Sequence, residues 1–138
     1  MHILIVDDVT ENIQVAMNIL KEDSYTFSYA TQGTKALDLI QRHAAELDLI
    51  LLDIMMPEVD GFAVCQAIKK DPLTTSIPVI FLTAKTDIDA ISKGFSLGAV
   101  DYITKPFHPE ELLARVKTHT TLYQARNLLQ RHNITIND

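Results

Sequence analysis

The sequence has a single cysteine, Cys65, which excludes an intramolecular disulfide framework and a cysteine-rich zinc site. It has no apolar run near the ~18 residues that a membrane-spanning helix needs. Its first residues, Met1-His2-Ile3-Leu4-Ile5-Val6-Asp7-Asp8, lack the basic region and the length of a secretory signal. Basic residues are scarce: 12 Lys and Arg stand against 18 Asp and Glu, for a formal charge of −6. That balance argues against a non-specific nucleic-acid binder, whose affinity comes largely from neutralising phosphates. No internal repeat or low-complexity segment is visible. What remains is 138 residues, 47% hydrophobic and 22% charged, the composition expected of a soluble, cytoplasmic, single-domain protein. A chain of this length buries roughly two thirds of its unfolded surface and needs no disulfide or metal staple.

The charge is uneven. Residues 1–111 carry 8 basic and 17 acidic side chains, a net −9, whereas residues 112–138 carry 4 basic and 1 acidic, a net +3. The last segment therefore presents a different surface from the rest.

Short apolar runs alternate with segments of helical period. The runs are Ile3–Val6, Phe27–Ala30, Leu47–Leu52, Val79–Leu82 and Val100–Ile103, and several are continuous and β-branched, the pattern of strands buried on both faces. Between them lie the stripes Ile13, Ala16, Met17, Leu20; Ala36, Leu39, Ile40; Phe62, Cys65, Ile68; and Ile88, Ile91, Phe95. Five strands alternating with helices predict an α/β fold of (βα)5 type, a doubly wound five-stranded parallel sheet. Thr10 and Asp60 are suited to cap helix starts. Pro109 suits the first turn of a final helix that runs from Glu110 to about Arg131 without Gly or Pro.

In such a sheet, ligands bind beyond the carboxyl ends of the strands, where strand order reverses. Asp7 and Asp8 follow the first run, Asp53 the third, Thr83 the fourth and Lys105 the fifth. The fold thus gathers three carboxylates, a hydroxyl and an ammonium at one edge. Two carboxylates ~4 Å apart repel by about 4 kcal/mol at an effective dielectric near 20, so three need cations. Lys105 supplies one charge, and a hard divalent ion on oxygen ligands supplies two more. A carboxylate beside Mg²⁺ can attack phosphorus to give an aspartyl phosphate, with Lys105 and Thr83 stabilising the phosphoryl oxygens.

Four motifs carry a family resemblance in combination: Ile5-Val6-Asp7-Asp8, Leu52-Asp53-Ile54-Met55-Met56-Pro57-Glu58-Val59-Asp60-Gly61, Phe81-Leu82-Thr83-Ala84, and Gly98-Ala99-Val100-Asp101-Tyr102-Ile103-Thr104-Lys105-Pro106-Phe107. Over residues 2 to about 120 the chain resembles the receiver domain of two-component response regulators. The resemblance implies a flavodoxin-like strand order 2-1-3-4-5. It implies that Asp53 accepts a phosphoryl group from a phosphohistidine of a sensor histidine kinase or phosphotransfer protein. It implies Mg²⁺ (or Mn²⁺) held by Asp8, Asp53 and the backbone carbonyl of Met55, with Asp7 acting indirectly. Thr83 and Ala84 match the phosphoryl-binding switch segment, Lys105 the lysine that pairs with the phosphoryl group, and Tyr102 the aromatic switch. Lys105–Pro106 matches a peptide bond that is usually cis. Met55 and Lys85, two residues after Asp53 and Thr83, match positions that influence access of water to the acyl phosphate, and they point to a phosphorylated state that outlasts a few seconds.

Blander readings apply elsewhere. Cys65 lies on an apolar stripe and reads as core. His2, His43, His108, His119 and His132 have no metal-ligand spacing and read as structural or solvent-facing. The last helix divides the chain: residues 1–121 form the receiver, and residues 122–138 extend its helix as a linker toward an output domain beyond Asp138. Homodimerisation through the last helices, or through the face of helix four, strand five and helix five, is the other use of that region. Neither direct nucleic-acid binding nor a membrane is expected. Two competing classes are a phosphohydrolase using Asp7, for which Asp7-Asp8-Val9-Thr10 has the wrong spacing, and a receiver-like interaction module that is never phosphorylated, against which the full set of site residues argues.

Overall fold

The runs Ile3–Val6, Leu47–Leu52 and Val79–Leu82 become buried central strands, and Phe27–Ala30 and Val100–Ile103 become partly exposed edge strands. The structure is a computed structural model that describes residues 1–84 and 88–137, the last seven of these by backbone alone; Lys85 lies outside the described residues. In chain order the elements are β1 (His2–Val6), α1 (Thr10–Leu20), β2 (Thr26–Ala30), α2 (Gly33–His43), β3 (Leu49–Asp53), α3 (Gly61–Lys70), β4 (Val79–Ala84), α4 (Ile88–Ser96), β5 (Asp101–Lys105) and α5 (Pro109–Asn137). All pairings are parallel and the strand order is β2-β1-β3-β4-β5, as the resemblance implied.

Alternation along the strands divides the core in two. Leu4, Val6, Ile50, Leu52, Val79 and Phe81 face α2 and α3, against Ala36, Ile40, Val64, Cys65 and Ile68. Ile3, Ile5, Leu49, Leu51, Ile80 and Leu82 face α1 and α5, against Ile13, Ala16, Leu20, Leu112 and Val116. Each fully buried Leu or Ile contributes roughly 1.5–3 kcal/mol of transfer free energy, so the sheet is the rigid platform of the molecule. Its register aligns the strand ends: Val6 pairs with Leu52, Asp53 with Leu82, and Ala84 with Lys105.

Several local expectations change. Asp53, Thr83 and Lys105 do not follow their strands but lie within their last two residues, because backbone pairing continues past the apolar runs, Asp53 with Leu82, Thr83 with Thr104 and Ala84 with Lys105. Asp60 caps α3, its carboxylate accepting the Ala63 N–H at 2.9 Å. Thr10 does not cap α1; it is the first helical residue, Val9 occupies the cap, and the Asp7 carboxylate accepts the Val9 N–H at 2.9 Å. The Ile88, Ile91, Phe95 stripe is not a core face, since Ile88 is 73% and Phe95 45% exposed. The α4 residue that is buried is Gly94, and a Cβ there would meet the Phe81 ring at 2.7 Å, so the helix packs through its backbone. Helix α5 runs on to Asn137, beyond the expected end near Arg131.

Candidate functional site

The chain leaves β1 at Val6, and Asp7 is tied down at once. Its backbone N–H donates to Ala30 O at 3.1 Å. Its carboxylate is fully buried and accepts from Val9 N–H (2.9 Å), from Asn12 Nδ2 (3.3 Å) and from Lys105 Nζ (3.0 Å). With both oxygens engaged and no exposure, Asp7 is a poor nucleophile, which argues against the phosphohydrolase reading. Asp8, the next residue, is exposed.

Asp53 ends β3 at 4% exposure, and its Oδ1 accepts from Lys105 Nζ at 3.0 Å. Lys105 therefore bridges Asp7 and Asp53 across the sheet edge. Burial opposes its charge, but its hydrogen bonds to Asp7 and Asp53 prevail and hold its pKa above the ordinary lysine value. Asp53 moves the other way. Burial is the main cause, and the charge of Asp7 and a hydrogen bond with Asp8 add to it against the opposing pull of Lys105, so its pKa is pushed up to about 6. One ammonium is thus too little charge for this edge.

Carboxylate oxygens of Asp7, Asp8 and Asp53 lie within 4.8 Å of one another. Two buried acids, one exposed acid and an elevated carboxyl pKa fit a hard divalent cation such as Mg²⁺, which takes oxygen ligands and keeps several waters. Thr83, 5% exposed, and Ala84 complete β4 beside this edge, with Thr83 Oγ1 at 3.5 Å from Ala84 O. The Lys105–Pro106 peptide bond is cis. The Met55 side chain stands in solvent, 78% exposed.

Tyr102 is set apart from the acids, on β5. Its half-buried ring packs edge-on against Phe95 at 6.2 Å, with the Arg115 guanidinium 5.5 Å from the ring centre. Arg115 is itself paired with Asp101 and Glu111, and Asp101 also receives His119 Nε2 at 2.9 Å. Sequence reasoning missed this network, because Asp101, Arg115 and His119 converge only when α5 lies along β5.

It also missed the reason for Gly61. A Cβ at that position would meet Asp53 O at 2.1 Å and Ile54 Cα at 2.8 Å, while the Gly61 N–H donates to Ile54 O at 2.8 Å. The start of α3 thus clamps the backbone that carries Asp53. Gly61→Ala is expected to displace that backbone and to destabilise the fold by about 1–3 kcal/mol, the usual cost of overpacking. A urea titration checks the stability, and the chemical shift of the Asp53 amide checks the displacement.

Comparison with known proteins gives one consistent answer. The family described as response regulator receiver domain matches residues 3–117. Regulatory protein VanRc of Enterococcus gallinarum is 43% identical over 126 residues, covering 91% of this chain and 52% of that protein. The DNA-binding dual master transcriptional regulator RpaA of Synechocystis is 44% identical over 117 residues, covering 83% of this chain and 47% of that protein. The chain thus spans about half the length of these curated relatives. Among solved structures, chemotaxis protein CheY4 of Vibrio cholerae superposes with a TM-score of 0.78 at 30% identity, covering 86% of this chain and 97% of that one.

Proposed function

The chain belongs to the response regulator receiver family of two-component systems, and on that premise we propose that Asp53 is its phosphoacceptor. The observation that carries the reading is the edge itself: a nearly buried carboxylate held by Lys105, with Asp7 and Asp8 within metal-binding reach. Lys105 occupies Oδ1 of Asp53 and leaves Oδ2 as the attacking atom. That oxygen forms a bond to phosphorus as the bond from phosphorus to a histidine nitrogen of the donor breaks, and the electron pair departs on the imidazole. The donor is a sensor histidine kinase or a phosphotransfer protein.

Asp8, Asp53 and the Met55 carbonyl would hold Mg²⁺ or Mn²⁺, with Asp7 acting indirectly. The ion supplies positive charge for the transferring phosphoryl oxygens. Lys105 and the Thr83 hydroxyl contact the same group once it sits on Asp53. Phosphorylation adds about −1.5 to −2 of charge, by analogy with other phosphorylated side chains. Thr83, Ala84 and Tyr102 respond to it, and the face of α4, β5 and α5 shifts between two states. The receiver comprises residues 1–121. Residues 122–138 carry the signal onward to an output domain or to a second copy of the chain. The domain promotes only its own phosphorylation and dephosphorylation, in the cytoplasm, and is not a turnover enzyme.

The test is incubation with Mg²⁺ and a small acyl phosphate, followed by intact mass. The expected result is one phosphoryl group per chain, absent without divalent cation and absent in Asp53→Asn. An unmodified wild-type chain under all conditions would leave an interaction module as the better account.

A further inference from the structure

The phosphoacceptor edge does not use the basic end of the sequence. Residues 112–138 carry a net +3, and part of that charge faces a cavity at the other end of the sheet. The cavity is about 360 Å³ and is bounded by the end of α3, by the loops that lead into β4 and β5, and by the middle of α5. It brings together Lys69, His119 and Arg126, and no carboxylate lines it.

Of these three groups His119 is paired with Asp101, whereas Lys69 and Arg126 have no acidic partner among the described residues. Lys69 Nζ donates to Thr75 O at 2.9 Å and to Ile77 O at 2.8 Å, so two of its three donors are spent on backbone and one remains. Among the described residues, no ion pair involves Lys69 or Arg126. Burial and the like charge of Arg126 hold the Lys69 pKa below its ordinary value. Asp101, which holds His119, is also committed to Arg115. Arg126 is exposed.

The cavity is also built. Gly98 adopts φ +106°, and a Cβ there would come within 3.1 Å of Lys69 Cγ. The missing side chain lets the loop close over the lysine stem and fix the direction of its ammonium. Pro78 and Val100 supply apolar wall on the domain side, and Leu122 and Tyr123 supply it from α5. The volume lies within the range of small-molecule sites, which combine an apolar lining with a few convergent polar groups.

We propose that this cavity binds a small oxyanion ligand, a phosphomonoester or a carboxylate on a flat apolar body, between Arg126 and Lys69. A guanidinium and an ammonium suit either group, the former by a paired fork of hydrogen bonds. The Tyr123 ring and the Leu122 side chain suit the apolar part. Such a ligand spans the domain body and the part of α5 that continues past residue 121. It therefore stiffens the root of that helix, independently of phosphorylation at Asp53.

The test is an amide-resolved NMR titration of the whole chain with adenosine monophosphate, with benzoate and with inorganic phosphate. The expected result is saturable shifts at Ser76, Gly98 and Val100, with a midpoint below roughly 1 mM for one of the two organic anions. The organic anion that binds distinguishes the phosphate source from the carboxylate source. Arg126→Glu is expected to weaken binding at least about tenfold, and Asp53→Asn to leave it unchanged. Arg126→Gln, which removes charge without reversing it, serves if the glutamate variant folds poorly. The proposal fails if no probe saturates, if the shifts cluster at Asp8, Asp53 and Thr83, or if neither Arg126 variant alters them. Inorganic phosphate binding as tightly as both organic anions would equally overturn it.

Discussion

Asp53→Asn is expected to abolish phosphoryl acceptance and, in the absence of divalent cation, to make the domain more stable. The two effects share one cause. The Asp53 carboxylate is nearly buried beside the fully buried Asp7, and a single ammonium serves both. Its pKa of about 6 lies above the unfolded value near 3.8, so between these limits the folded chain binds the extra proton. The stabilisation from that proton is fully present below pH ~4 and is lost as pH rises through ~6. At pH 7 the ionised group costs the fold about 3 kcal/mol, since each tenfold change in proton affinity between the folded and unfolded chain corresponds to roughly 1.4 kcal/mol. Asparagine keeps the shape and cannot ionise, so that cost disappears. Urea titrations at pH 4 and pH 7 in chelator check this: the gain of the variant over wild type should be large at pH 7 and small at pH 4. Mg²⁺ at pH 7 should narrow the difference by stabilising wild type. A variant less stable than wild type at pH 7 would mean that Lys105 outweighs burial and the Asp7 charge.

Much of this arrangement is legible in the sequence, for a physical reason. Strands covered on both faces must be apolar throughout, so Ile3–Val6 and Val79–Leu82 announce themselves without a partner in view. Against such runs the polar residues Asp7, Asp53, Thr83 and Lys105 stand out, because each falls where an apolar run ends. Contacts that depend on absence or on distant convergence are not legible. Gly61 and Gly94 look alike as letters, yet one clamps the Asp53 backbone and the other seats α4 on Phe81. Ile88 and Phe95 of α4 belong to a periodic stripe and are still exposed, because periodicity records a stripe and not what covers it. Lys69 and Arg126 share a cavity only because α5 continues past the sheet it packs on.

Lys105→Met is expected to slow phosphoryl transfer to Asp53 by about a hundredfold or more, the usual loss when one preorganised electrostatic contact to a developing charge is removed. It also leaves Asp7 and Asp53 buried without their shared cation. Breaking a buried pair by deleting one partner costs about 3–5 kcal/mol when the remaining charge has no escape. Here Asp53 can escape by protonation, so the loss of stability should be greatest above pH 6 and smaller at pH 5. Lys105→Arg keeps the charge but replaces a compact ammonium with a planar fork, and it should restore stability better than rate. Divalent cation separates the two roles. With the ammonium gone, the carboxylates repel more strongly and their affinity for Mg²⁺ should hold or rise while the rate falls. Single-turnover intact mass at saturating acyl phosphate measures the rate, and calorimetric titration measures the cation. Unchanged transfer in Lys105→Met would reduce the residue to a counter-ion for Asp7. A rate that falls only in step with lost Mg²⁺ binding would place its action on the metal site and not on the phosphoryl group.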